Sequence, residues 1–87
     1  MYKLVFEDSF KKQYNKLDKS VAVIVKKWID KHLVGTSNPK AYGKALSYDL
    51  NQYWRYRIGD YRLIVEIRDK ELIIIAIDIV HRSEAYK

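Results

Sequence analysis

Three arginines in the middle of the sequence could together bind an anion. Arg55, Arg57 and Arg62 lie within Y-W-R-Y-R-I-G-D-Y-R-L-I-V-E-I, residues 53–67. Each guanidinium presents a planar set of N–H donors that fits a phosphate in a bidentate manner. Arginines on rigid strands could therefore neutralise the charge that develops on a phosphodiester during cleavage, and a nearby histidine or tyrosine could move protons.

The stretch that carries these arginines is predicted to be a β-hairpin. Alternating aromatic and β-branched residues flank Gly59-Asp60, which fits a two-residue type II′ turn with glycine at positive φ. In that register Ile58 pairs with Tyr61 and Arg57 with Arg62. Because successive side chains point to opposite faces, one face of the hairpin is apolar and is predicted to be core. The other, called the arginine face here, carries Tyr53, Arg55, Arg57, Arg62, Ile64 and Glu66.

The positive charge on the arginine face needs compensation. Arg57 and Arg62 face each other directly, and like charges in that position destabilise a sheet. Glu66 shares the face and could pair with one arginine, whereas a phosphate could bind all of them. Three arginines against one glutamate favour the anionic ligand.

The sequence before the hairpin predicts one strand and two helices. Residues 2–6 alternate as in a short edge strand, and Ser9 is predicted to cap a helix over 9–16. A second helix, capped by Asp18 or Ser20, has apolar residues at three- and four-residue spacing and ends at Gly35. Residues 36–52 are predicted to form a long connection with at most a short helical turn.

After the hairpin, L-I-I-I-A-I-D-I-V (72–80) predicts a strand that is apolar on both faces. The expected fold is α+β, a single domain of residues 1–87 with order β-α-α-β-β-β. Two N-terminal helices would cover one face of a mainly antiparallel four-stranded sheet. The register would bring His81 and Arg82 toward the hairpin turn. The same register would place four isoleucines on the arginine face: Ile73, Ile75, Ile77 and Ile79. They could form a groove that binds a partner, or the long connection could cover them.

Composition narrows the classes of function. The 87 residues carry a net charge of +6, with a pI near 9.5, which favours nucleic acid or an acidic protein as partner. Without cysteine, a signal peptide or a long apolar run, the chain is expected to be soluble and cytoplasmic, with no membrane association. It has no HExxH motif, no glycine-rich phosphate loop and no Ser/His/Asp set, so we expect no metal or cofactor.

Three segments resemble the RelE toxin family of bacterial type II toxin–antitoxin systems, within the RelE/ParE superfamily. They are G-K-A-L (43–46), Y-W-R-Y-R-I-G-D-Y-R-L-I-V (53–65) and H-R-S-E-A-Y (81–86). The resemblance implies a compact ribonuclease that enters the ribosomal A site and cuts mRNA. It also implies attack of a ribose 2′-hydroxyl on the adjacent phosphate, giving a 2′,3′-cyclic phosphate and a 5′-hydroxyl.

The resemblance assigns roles to individual residues. Arg62 matches the basic residue after the hairpin tyrosine and Arg82 the late arginine, and both would stabilise the phosphorane. Tyr86 matches the C-terminal tyrosine, which would stack on or orient the nucleotide. Four further basic residues are expected to contact the RNA: Arg55, Arg57, Lys44 and Lys40.

The general base is the open question. Some RelE members have lysines where this chain has Arg55 and Arg57, and a guanidinium with a pKa above about 12 is a poor base. His81 could replace them, because it titrates near neutrality, or it could merely cap the strand end. Alternatively, positioning and charge neutralisation alone carry the reaction.

The resemblance also implies a partner. An acidic, RelB-like antitoxin would lay apolar side chains on the sheet and carboxylates on the arginines, and operator DNA would be bound only through that complex. The expected antitoxin-binding residues are Ile64, Ile73, Ile75 and Ile77. Two other functions stay open: a ParE-like inhibitor of DNA gyrase, and a non-catalytic RNA- or partner-binding homologue within an autorepressor complex.

Overall fold

A computed structural model describes residues 1–47 and 52–85. They form one five-stranded sheet of order β1-β5-β4-β3-β2, in which β1 is parallel to β5 and the other neighbours are antiparallel. The elements are β1 (Lys3–Phe6), α1 (Asp8–Asn15), α2 (Lys19–His32), a 3-10 turn (Pro39–Ala41), β2 (Lys44–Ala45), β3 (Tyr53–Ile58), β4 (Tyr61–Arg68), β5 (Ile73–His81) and α3 (Arg82–Ala85).

The predicted fold class is confirmed, with one strand more than expected. The additional strand is β2, two residues long, which lies inside the segment predicted to be a long connection. It pairs with β3 through Lys44 opposite Arg55 and Ala45 opposite Trp54. No helix within residues 1–47 and 52–85 is long and apolar enough to cross a bilayer.

The predicted hairpin is confirmed in its register and its turn. Ile58 lies opposite Tyr61, and Arg57 lies opposite Arg62. Gly59 has a φ of 58°, and Asp60 is not among the described residues with positive φ. Positive φ at the first central position alone is the signature of the type II′ turn.

The helices begin close to where the sequence predicts. Ser9 is not the N-cap of α1, which is Glu7, because the Ser9 hydroxyl instead donates to the carbonyl of Ile77 at 2.6 Å. That hydrogen bond ties α1 to β5. Asp18 occupies the N-cap position of α2. The helix ends at His32 with Leu33 as its C-cap, so Gly35, predicted to end the helix, lies further along the chain and has a φ of 72°.

Both helices pack on the face of the sheet opposite to the arginines. Side chains from α1, α2 and the three long strands form one continuous apolar cluster there. Burial of this surface is the main stabilising term of the fold. Its most deeply buried side chains are Tyr56, Leu33, Leu63, Ile74, Ile79, Val25 and Val65.

A β-bulge in β5 overturns one sequence-based expectation. Ile64 pairs with Asp78 but Val65 pairs with Ala76, so Ile77 is an extra residue. An extra residue shifts the alternation of faces beyond it. Ile79 therefore lies in the helix-side core at 2% exposure, and not on the arginine face as predicted.

Candidate anion-binding site

Four cationic side chains meet at one end of the arginine face. Lys44 on β2 pairs with Arg55 on β3, and Arg57 on β3 pairs with Arg62 on β4. Side chains of directly paired residues share a face of the sheet. The two pairs, two residues apart along β3, therefore form a compact basic cluster beside the hairpin turn.

The cluster surrounds a cleft of about 350 Å³, called the basic cleft here. Its lining residues are Gly43, Lys44, Arg55, Arg57 and Arg62. Arg62 is buried, with 7% of its surface exposed, Arg55 is half-buried, and Arg57 and Lys44 are exposed. The cleft thus has a buried guanidinium at its base and exposed charges at its rim, an arrangement suited to a phosphate.

Glu66, the carboxylate that the sequence offered as compensation, is engaged elsewhere. Its Oε2 accepts a hydrogen bond from Arg68 Nε at 2.8 Å, and this contact raises the pKa of Arg68. No acidic residue is among those described as lining the basic cleft. The charged side chains described as lining the cleft are thus all cationic, which suits an anionic ligand.

Lys40, predicted to contact RNA, is not brought to the basic cleft. Its Nζ lies 2.9 Å from Asp69 Oδ2 and 5.7 Å from the centroid of the Trp54 ring, which is on the helix side of the sheet. Hydrogen bonds from Lys40 and from the Tyr2 hydroxyl lower the pKa of Asp69. This group joins the 3-10 turn to the β4–β5 connection.

His81 and Arg82 reach the hairpin turn, as predicted, but His81 faces the helix side. His81 pairs with Tyr61, and their rings meet edge to face with centroids 5.2 Å apart. Tyr61 packs against the apolar core, so the sheet separates the imidazole from the basic cleft. His81 Nδ1 is also 2.9 Å from the Ser83 hydroxyl. Its role as a base stays a prediction.

Arg82 is fixed to the turn through its backbone. Its N–H donates to the Asp60 carbonyl at 2.7 Å, and its Nε lies 3.8 Å from Asp60 Oδ1. Both side chains of this pair are more than half exposed, so the ion pair is weak and the guanidinium can exchange it for another anion. Tyr86, the remaining predicted catalytic residue, lies outside the described residues.

Asp78 is a titratable residue that sequence reasoning missed. It pairs with Ile64 and so lies on the arginine face, where burial raises the pKa of its carboxyl. The backbone N–H of Ile79 donates to its Oδ1 at 2.9 Å. The sequence signal was a single charge within an otherwise apolar strand, I-I-I-A-I-D-I-V. A carboxyl with a raised pKa is suited to acid–base chemistry nearer neutrality.

The four isoleucines proposed for a partner differ in exposure. Ile73 and Ile75 pair with Arg68 and Glu66 and lie on the arginine face. Ile75 is 7% exposed, whereas Ile64, Ile73 and Ile77 are half-buried. Ile64, Ile73 and Ile75 together with the basic cleft give this face an apolar part and a cationic part, whereas Ile77 is the extra residue of the bulge.

Comparison with known proteins identifies the family. A sequence model described as the ParE toxin of the type II toxin–antitoxin system parDE matches residues 4–86. No curated protein matches the sequence. The chain therefore belongs to the ParE toxin family, within the RelE/ParE superfamily, and is a toxin of a type II toxin–antitoxin system.

Solved structures of this superfamily share the fold. A chain of the RelBE2 toxin–antitoxin complex from Mycobacterium tuberculosis is 25% identical, with a TM-score of 0.80 over 93% of this chain and 98% of that one. The isolated E. coli RelE toxin is 23% identical, with a TM-score of 0.74 over 99% and 92%. The YoeB/ParE toxin from Agrobacterium tumefaciens is 20% identical, with a TM-score of 0.63 over 91% and 96%.

Proposed function

We propose that this toxin is a metal-independent endoribonuclease that cuts mRNA in the ribosomal A site. The observation that carries the proposal is the basic cleft, which is lined by Lys44, Arg55, Arg57 and Arg62. RNA cleavage through a 2′-hydroxyl requires positive charge at a single phosphate more than it requires a metal. The resemblance of residues 53–65 and 81–86 to RelE supports the same reaction.

In this reaction the ribose 2′-oxygen forms a bond to the adjacent phosphorus, and the bond from phosphorus to the 5′-oxygen breaks. The products are a 2′,3′-cyclic phosphate and a 5′-hydroxyl, so no external water is consumed. Negative charge grows on the non-bridging oxygens of the phosphorane. Arg62 suits this step, because its burial fixes the guanidinium before the charge develops.

The rim residues have separate roles. Arg55, Arg57 and Lys44 hold the flanking phosphates of the mRNA. Arg82 exchanges its exposed pairing with Asp60 for the phosphorane or the leaving oxygen. Tyr86, from the C-terminus, stacks on the nucleotide or orients it.

Two titratable side chains could accept the 2′-hydroxyl proton. Asp78 lies on the arginine face and has a raised pKa. His81 packs against Tyr61 on the helix side and would have to swing around the end of β5 to reach the cleft. Guanidinium groups stay protonated at neutral pH and therefore cannot serve as the general base. Without either base, positioning and charge neutralisation would carry the rate.

The partner expected for the free toxin is an acidic, RelB-like antitoxin. Structures similar to this chain include toxin–antitoxin complexes, among them RelBE2 from M. tuberculosis. Carboxylates of the antitoxin would occupy the basic cleft, and its apolar side chains would cover the isoleucines of the same face. Operator DNA would be bound only by the complex. Toxin and ribosome would meet in the cytoplasm.

The family description itself favours a second candidate, inhibition of DNA gyrase, because the matching sequence model is that of ParE. The third candidate is a non-catalytic homologue that only binds RNA or the antitoxin. The four-cation cleft favours RNA cleavage over gyrase inhibition, since a protein inhibitor of gyrase has no need for a phosphate site on rigid strands. The resemblance of residues 53–65 and 81–86 to RelE favours cleavage over binding alone.

Expression in bacteria separates these candidates. We expect wild-type toxin to stop incorporation of labelled methionine while the supercoiling of a reporter plasmid stays normal, and Arg62→Ala to restore incorporation. Arg68→Ala is the matched control, because Arg68 lies on β4 but pairs with Glu66 outside the cleft, and it should stay toxic. Loss of supercoiling before loss of protein synthesis would indicate gyrase, and no effect on either would indicate a pure binding role.

A further inference from the structure

Lys44 contributes to the basic cleft from an element that cannot hold itself in place. Strand β2 is two residues long and lies at the edge of the sheet. Beyond the ladder, Leu46 N–H donates to the Tyr53 carbonyl at 2.9 Å. A strand this short has few backbone hydrogen bonds, so its position depends on tertiary contacts.

Those contacts come through the segment 39–43, which approaches β3 from the helix side. The Trp54 indole Nε1 donates to the carbonyl of Tyr42 at 2.6 Å, and the Tyr56 hydroxyl donates to the carbonyl of Pro39 at 2.6 Å. Burial raises the pKa of Tyr56, so this hydroxyl remains a donor at physiological pH. Two side chains of the strand that carries Arg55 and Arg57 thus fix the two ends of the segment.

Gly43 connects the clamped segment to Lys44 and is itself part of the cleft wall. Its φ is 75°, and a Cβ there would overlap the Arg55 carbonyl oxygen and lie 2.9 Å from Trp54 Nε1. The backbone therefore passes directly over β3, in a space that admits no side chain. Gly43 is the single residue between Tyr42 and Lys44, and its close approach to β3 leaves it little room to move, so a displacement of Tyr42 would reach Lys44.

The ring of Tyr42 is supported from α2. It meets the His32 ring edge to face with centroids 4.6 Å apart, and the Trp28 ring at 6.4 Å. Contact with Trp28 and His32 restrains the Tyr42 side chain but does not reach its carbonyl. The indole N–H of Trp54 is the described hydrogen bond that restrains the backbone two residues before Lys44.

We infer that Trp54 is a positioning residue for RNA binding, whose indole N–H holds the Tyr42 carbonyl and thereby keeps Lys44 in the basic cleft. Trp54 itself points to the opposite side of the sheet and does not touch the ligand. The inference rests on the proposed use of the cleft for a phosphate of RNA.

A double-mutant cycle tests the coupling. The probe is a short fluorescent RNA whose 2′-hydroxyls are methylated, so that binding is measured by anisotropy without cleavage. We expect Lys44→Ala to weaken binding by about tenfold and Trp54→Phe by about threefold, in the range of one charge-assisted hydrogen bond lost or loosened. The double variant should bind as weakly as Lys44→Ala alone, because Trp54 acts through Lys44.

The matched control is Trp28→Phe, which removes an indole from the same aromatic cluster but leaves the Tyr42 carbonyl bonded. It should bind the probe like wild type. Thermal unfolding of each variant distinguishes a specific loss of RNA binding from a general loss of the folded structure. The inference would be overturned if Trp28→Phe weakened binding as much as Trp54→Phe. It would also be overturned if the double variant bound more weakly than Lys44→Ala by the full factor that Trp54→Phe causes alone.

Hydrogen exchange without RNA tests the inference separately from the proposed function. The Leu46 amide, bonded to Tyr53, reports whether β2 is held in place. We expect Trp54→Phe to speed its exchange by about tenfold or more relative to the core amides of β4, and Trp28→Phe to leave it unchanged. Unchanged exchange in Trp54→Phe would overturn the inference. Absence of RNA binding by wild-type protein would instead refute the proposed function.

Discussion

The two faces of the central hairpin differ in almost every property although they alternate residue by residue. On the helix side, Tyr56, Leu63 and Val65 are each 0% exposed. On the other side, the neighbouring residues Arg55, Arg57 and Arg62 line an open cleft. The contrast shows how a small fold positions charges: apolar burial on one face fixes the strands, and the same strands carry the cations on the other face.

The largest expected effect is a difference in stability between substitutions on the two faces of the hairpin. Leu63→Ala removes a fully buried side chain and should lower the free energy of unfolding by about 2–5 kcal/mol. Ile64→Ala, the next residue on the same strand, faces the half-open side and should cost about 1 kcal/mol. Urea unfolding of both variants measures the difference, and equal costs would break the division between a structural and a functional face.

Within the cleft, the expected loss of activity follows burial. Arg62→Ala should slow cleavage by about 100- to 1000-fold, because a preorganised donor to the transition state is lost. Arg57→Ala, at the exposed rim, should slow it by about tenfold, with single-turnover rates on ribosome-bound mRNA as the measurement. If Arg57→Ala slowed cleavage more than Arg62→Ala, the phosphorane would be stabilised at the rim of the cleft and not at its base.

Gly43, beside the basic cleft, and Gly35, which follows α2, extend the comparison to the backbone. Both have positive φ, but a Cβ has open space at Gly35 and meets β3 at Gly43. Gly35→Ala should lose about 1 kcal/mol of stability from φ alone. Gly43→Ala should lose at least about 1 kcal/mol more, because backbone must also move. Thermal unfolding measures both, and similar losses would contradict the close approach.

Asp78 is expected to give the smallest effect, and one that depends on pH. Burial raises its pKa, so below about pH 3.9, the ordinary value, the folded and unfolded states are both protonated and no cost arises. Between the ordinary value and the higher pKa of the folded state, the unfolded state loses its proton first, so the fold loses stability as pH rises through this interval. Asp78→Asn should therefore raise the melting temperature at pH 7 and leave it unchanged near pH 3. A gain that is independent of pH would contradict the assignment.

The same substitution addresses the general base. If Asp78 accepts the proton, Asp78→Asn lowers the cleavage rate and removes its dependence on pH in the acidic range. If His81 accepts the proton, His81→Gln instead lowers the cleavage rate. If both variants keep the wild-type profile, charge neutralisation alone carries the reaction.

The hairpin was predictable from sequence because two local signals agree. A Gly-Asp turn fixed the register and strict alternation fixed the faces, so Arg55, Arg57 and Arg62 were placed correctly. In β5 the local signals are ambiguous, because isoleucine fits either face and nothing in I-I-I-A-I-D-I-V marks a bulge. The faces of Ile79 and His81 could not be derived for that reason.

Long-range contacts determine the features of the site that could not be predicted from the sequence. Lys40 and Lys44 have the same side chain and lie four residues apart, yet one pairs with Asp69 and the other lines the cleft. That difference depends on the positive φ of Gly43 and on the bond from Trp54 to Tyr42, neither of which has a sequence signature. The resemblance to RelE supplied residue roles that the residue pattern alone did not provide.

The most direct test of the central claim is primer extension on a reporter mRNA in a purified translation system, with and without ribosomes. Wild-type toxin should produce new cuts within codons only when ribosomes are present, ending in a 2′,3′-cyclic phosphate. Arg62→Ala should abolish them and Arg68→Ala should not. Absence of cuts by the folded wild-type protein, or cuts that persist in Arg62→Ala, would contradict the assignment of the basic cleft as the site of mRNA cleavage.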